Sequence, residues 1–142
     1  VTDILHELIV RRGAEFGDRV AFEDGERAIG YADLAERTGR IAGRLPVSAG
    51  EKVAIHLVPG VLAVLATFAV TRAGAVGVPL DPRATDAELA YLLRDSDARL
   101  VVTEPRWVRR LRAIASDRTV CTTDDLVAWA ASTAGRPRDS LG

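Results

Sequence analysis

Three short apolar runs, VAIHL from Val53, VGVPL from Val76 and RLVVT from Arg99, begin 23 residues apart each time. None alternates cleanly between apolar and polar residues, the pattern of strands covered on both faces. The gaps hold helical segments, Pro59 to Ala73 and Asp86 to Asp95. A strand, a helix of this length and a second strand make a βαβ unit with a parallel pair. The units share no side-chain pattern, so they are successive βαβ units and not a solenoid repeat. A further helix over Pro105 to Ile114 leads to the run RTVCT from Arg118, and Asp124 is expected to cap a last helix through Ser132.

Upstream of the repeat, Thr2 and Asp3 can cap a first helix with Ile4, Leu5, Leu8, Ile9 and Phe16 on one side. Val20 to Phe22 and Arg27 to Ile29 flank Asp24-Gly25, which reads as a hairpin. A second helix follows, with Leu34, Ile41 and Leu45 inward and Asp33, Glu36, Arg37 and Arg40 toward water, and Pro46 to Gly50 ends it. The fold class is therefore α/β: part of a doubly wound parallel sheet between helical layers, preceded by a helix and a small β-hairpin. Residues 1–132 form this unit, and the polar TAGRPRDSLG tail, 133–142, reads as linker.

Charge and composition exclude several function classes. Nineteen Lys and Arg against 20 Asp and Glu leave a net charge of -1, no basis for attraction to nucleic acid or an anionic membrane. The longest apolar run, Pro59 to Val70, is too short to span a bilayer, and a cytoplasmic protein is expected. Two distant histidines and one cysteine make no metal-ligand spacing. No serine sits in a G-x-S-x-G context, and GAVG from Gly74 is not a dinucleotide fingerprint. The chain contains no Met, even at position 1, and so reads as processed or cut from something longer.

The segment RAGAVGVPLDP, Arg72 to Pro82, packs several signals together. Gly74 suits the position just past a helix, while Ala73 and Ala75 are small where helix and strand approach. Val76, Val78 and Leu80 are the expected buried residues of the strand, and Gly77 admits a close neighbour. Pro79 is expected to forfeit a ladder donor, and Asp81-Pro82 forces an extended turn. The longer stretch RAGAVGVPLDPRATDAELAYLLRDSDARLVVT, Arg72 to Thr103, resembles the second core motif of adenylate-forming enzymes with the helix and strand after it. IGYADLAERTGRIAGRL, Ile29 to Leu45, resembles their first core motif, and EKVAIHL lies where they carry their first parallel strand. These enzymes are the acyl-CoA synthetases, aryl acid ligases and adenylation domains of nonribosomal peptide synthetases. The resemblance covers roughly residues 1 to 105. It departs at Gly77, where peptide synthetase domains usually carry an aromatic, and at Thr71-Arg72, which replaces a frequent Leu-Lys.

The resemblance implies carboxylate activation with ATP and Mg²⁺, and it also implies which parts lie elsewhere. The family's Ser/Thr/Gly-rich phosphate loop has no counterpart between Val1 and Gly142. Its catalytic lysine belongs to a C-terminal subdomain, whereas Lys52, the only lysine here, stands at the mouth of the first strand. The expectation is a first part of the N-terminal subdomain, with no catalytic, cofactor-binding or metal residues of its own and no cofactor for this chain alone. Its partners would be the remainder of the adenylation domain, an assembly-line partner domain or a second copy, with the acid substrate unassigned.

Four other features receive structural readings. His56 finishes the first parallel strand, near where ligands sit in open α/β sheets, and a purely structural histidine is the preferred reading. His6 reads as half-exposed on the first helix. Cys121 reads as a small buried strand residue. Arg106, Arg109, Arg110 and Arg112 read as a solvated helix face, with Trp107, Val108, Leu111 and Ile114 opposite and a phosphate- or partner-binding patch as the sharper alternative.

Overall fold

A computed structural model of the protein describes residues 2–132; the tail at 133–142 lies outside them. Helix α1 (Thr2–Phe16) precedes a hairpin of β1 (Val20–Glu23) and β2 (Ala28–Gly30), and α2 (Tyr31–Arg44) follows directly. The repeat then appears as β3 (Lys52–Ile55), α3 (Val61–Arg72), β4 (Val76–Pro79), α4 (Asp86–Ser96) and β5 (Leu100–Thr103). A 3-10 turn (Pro105–Trp107), α5 (Val108–Ile114), β6 (Thr119–Thr122) and α6 (Thr123–Ala131) complete the order. The four later strands form one parallel sheet in the order β4-β3-β5-β6, and β1 pairs with β2 alone.

Side chains alternate across this sheet and separate two cores. Val53, Ile55, Leu100 and Val102 join Ile41, Leu65, Ala69 and Leu126 of α2, α3 and α6 on one face. Ala54 and Val101 point the other way, to Leu89, Leu93 and Leu111 of α4 and α5. The sequence pattern is accounted for by this two-sided burial, since every residue of β5 is buried.

The helix ends are set by specific residues. Gly74, at φ 78°, ends α3 in a Schellman arrangement: its N–H donates to Thr71 O and the Ala75 N–H donates to Val70 O. Thr85 and Glu88 form a capping box on α4. Thr122 with Asp125 does the same on α6, so Asp124 is not the cap that the sequence suggested. Helix α3 starts at Val61 after Gly60, which leaves Pro59 outside its first turn.

Three other expectations need correction. The VGVPL run is not covered on both faces, because β4 is an edge strand. Val76 is 49% exposed and only Leu80 is deeply buried. Pro79 gives up no ladder bond: the Val76 N–H reaches Glu51 O and the Leu80 N–H reaches Ile55 O, so alternation points the position-79 amide toward the open edge. Gly77 does admit a close neighbour, since a Cβ there would lie 3.2 Å from Ile55 Cδ1. On α1, Leu8 is 41% exposed instead of sharing the buried side with Ile9.

Candidate functional site

The strand order places β4 on one side of β3 and β5 with β6 on the other. The chain therefore reverses its direction of growth between β3 and β5. In open α/β sheets the crevice beyond the carboxyl ends of such a pair is where ligands bind. A cavity of about 120 Å³ lies there, bordered by Leu57 and Val58 after β3, Glu104 after β5, Thr123 at the start of α6 and Asp24 of the hairpin.

The strands that end at this crevice are tied to each other, on the face of the sheet that α4 and α5 cover. His56, fully buried, extends β3, and its N–H donates to Val102 O. Its Nδ1 and the Thr103 Oγ1 share a hydrogen bond of 2.8 Å, which joins the ends of β3 and β5. The Trp107 ring meets the imidazole edge-on at 4.8 Å, and the Arg106 guanidinium lies 4.1 Å from the indole centroid. His56 Nε2 is buried without a hydrogen-bond partner among the described residues. Burial, and then the charge of Arg110, lowers its pKa from the usual imidazole range, against Glu104 and Asp81, which pull it up. The contacts of this histidine are to a strand carbonyl, a threonine hydroxyl and an indole, and its side-chain bond spans the switch point.

Helix α3 begins at the same crevice. Its first N–H, at Val61, donates to Asp24 Oδ2 at 2.8 Å, so the hairpin supplies the cap. The other Asp24 oxygen accepts the N–H groups of Glu26 and Arg27. These backbone bonds, Val61's first, hold the Asp24 carboxyl below the ordinary carboxylate range. Asp24, Glu26 and Glu104 in the lining outnumber Arg27, so the crevice is edged mainly by carboxylates.

The remaining candidates do not gather at this site. Lys52 is exposed at the amino end of β3, the opposite end of the sheet. Cys121 is buried on β6, and burial followed by the Asp125 charge pushes its thiol up to about 11, which favours the protonated thiol at neutral pH. His6 lies on α1, and its side chain is outside the described structure. The arginine helix divides: Arg109 and Arg112 are exposed, Arg106 pairs with Glu104 at 3.2 Å, and Arg110 pairs with Asp86 and donates to Ala84 O. Arg110 thus ties α5 to the start of α4, while Arg106 pairs with the residue just before its own 3-10 turn. Asp24 as a helix cap and Thr103 as a histidine partner escaped sequence reading, because their partners lie 37 and 47 residues away.

Among the described residues no group of His, Cys, Asp and Glu could hold a metal ion, and no helix is long and apolar enough to cross a membrane.

Residues 9–140 match the AMP-binding enzyme family. Chalcone synthase cfoA of Aspergillus candidus is 37% identical over 118 residues, 81% of this chain and 4% of that protein. Syringomycin synthase SyrB1 of Pseudomonas syringae pv. syringae is 30% identical over 120 residues, 80% of this chain and 19% of its own length. The crystal structure of ATP-bound MatB from Rhodopseudomonas palustris superposes on 95% of this chain with a TM-score of 0.79 at 30% identity, and 29% of MatB is covered. The chain thus spans a small part of each relative. The two core motifs and the two-sided parallel sheet agree with these matches: the chain belongs to the AMP-binding enzyme family.

Proposed function

We propose that these residues are the opening part of the N-terminal subdomain of an adenylate-forming, carboxylate-activating ligase that serves a peptide or polyketide assembly line. They supply scaffold; the ATP-binding and reacting groups belong to the remainder of the domain. The observation that carries this reading is the asymmetry of the MatB match, 95% of this chain against 29% of that one. The lining of the switch-point crevice also supports it. Activation of a carboxylate needs donors for the phosphates and a cation at the developing charge, whereas this crevice offers three carboxylates and a helix end already capped. ATP and Mg²⁺ are therefore assigned to the rest of the domain, and the working compartment is the cytoplasm.

A structural or docking module within a polyketide or nonribosomal peptide synthase is the second reading. An apolar groove between the hairpin and α3, lined by Phe22, Pro59, Ala63, Val64 and Phe68, favours it, since a contiguous apolar surface of this kind suits an interface.

The test is ATP–pyrophosphate exchange by the 142-residue chain with amino, aryl and fatty acids, after circular dichroism has shown a cooperative melt. No acid-dependent exchange above background is expected. Exchange that depends on an added acid would overturn the scaffold assignment.

A further inference from the structure

The β1–β2 hairpin is anchored at its base, where Ile29 is buried in the core with Ala21 packed against it, and has little of its own to hold its tip. Strands of four and three residues make a marginal sheet in water, and Val20 and Phe22 are 57% and 39% exposed. Phe22 touches Phe68 of α3 with ring centroids 6.2 Å apart. The polar tie to the same helix is Asp24. One of its oxygens builds the turn, accepting the Glu26 N–H at 2.9 Å and the Arg27 N–H at 2.7 Å. The other accepts the Val61 N–H.

Residue 60, the ordinary place for a Ser, Thr, Asp or Asn cap, is glycine. Its backbone is extended, with φ 160° and ψ -173°, which other residues adopt, so the turn does not demand glycine there. Space does. A Cβ on Gly60 would lie 2.7 Å from Asp24 Oδ2. Helix α3 therefore lacks a cap from its own N-cap position and has room for one from the hairpin. The same carboxylate and the same Gly60 border the switch-point crevice.

We propose that Asp24 is a clamp: its carboxylate holds the hairpin tip in place as one wall of the switch-point crevice, and its loss frees the hairpin while the parallel sheet stays folded. The clamp is closed at neutral pH, because the three backbone donors stabilise the ionised form. Its function is to fix the width of the crevice and the position of residues 57–60, which end β3 and begin α3. This assignment is independent of whether the chain is a scaffold or a docking module.

A helix cap and a clamp are separable by experiment. Asp24→Ala removes both, together with the acceptor of the turn. Asp24→Asn, which keeps one oxygen for the Glu26 and Arg27 N–H groups, must therefore loosen the hairpin as well. A hairpin as protected as wild type in Asp24→Asn would overturn the clamp. Gly60→Ser in the Asp24→Ala background returns a cap from position 60 without reconnecting the hairpin. In Asp24→Ala, amide exchange across residues 20–30 is expected to rise about tenfold, the scale of a lost cap. Trypsin should cut after Arg27 faster by a similar factor, with Val53 and Val102 exchanging at wild-type rates. In the double variant the hairpin should stay fast. Wild-type hairpin protection in the double variant would reduce Asp24 to a helix cap. Unchanged hairpin exchange in Asp24→Ala, or equal loosening of β3 and β5, would also overturn the clamp.

Discussion

Arg72 sits in the last turn of α3, where an arginine ordinarily reaches into water, yet it is 4% exposed. Its Nη1 donates to Thr38 Oγ1 at 2.9 Å and to Ala35 O, so the end of α3 is fastened to the middle of α2. Arg72→Met would keep most of the volume and remove the donors, leaving buried oxygens short of partners. A loss of about 2–4 kcal/mol is expected, read from urea unfolding. A loss below about 0.5 kcal/mol, the range of an ordinary surface substitution, would show that the bonds contribute nothing net. His56 adds a pH dependence of definite sign. Burial lowers its pKa in the folded chain, so below about pH 6.5 the unfolded state binds a proton that the folded state refuses. Stability then falls with pH until the folded pKa is reached. The urea midpoint should drop between pH 7.5 and 5.5, and drop less in His56→Gln; equal drops would place the titration elsewhere.

At the scale of elements, β4 shows how a strand can be recognised while its place in the sheet is misread. VGVPL and RLVVT look alike as short apolar runs, but the first becomes an edge and the second the fully buried neighbour of the central strand. The distinguishing mark was Pro79, whose missing donor falls on the open side. Of the outward positions in β4, Gly77 alone keeps an N–H, so the edge is a poor template for another strand. Pro79→Val would restore the second outward donor on an uncharged edge. Increased self-association is expected, measurable by light scattering across a concentration series, whereas a variant as monodisperse as the parent would show that Pro79 does not guard the edge. The elements themselves were legible because turn glycines, caps and apolar spacing act within a few residues of one another. Asp24 with Val61, Arg72 with Thr38 and His56 with Thr103 were not. Each pair spans more than thirty residues, and only the packed sheet brings its members together.

The whole molecule has its crevice and its lone lysine at opposite ends of one sheet. The crevice opens beyond the carboxyl ends of β3 and β5, and Lys52 begins β3 at the other end, exposed to water. Two separate cores sit between them, one on each face. The crevice draws Leu57 and Leu62 of its lining from the core on the α2, α3 and α6 side. For anyone handling the protein this arrangement has a practical meaning. Away from the chain terminus, an amine-directed reagent finds a single side chain to modify. A dye, a crosslinker or a solid support attached through that nitrogen would hold the molecule by its far end, with the crevice turned outward.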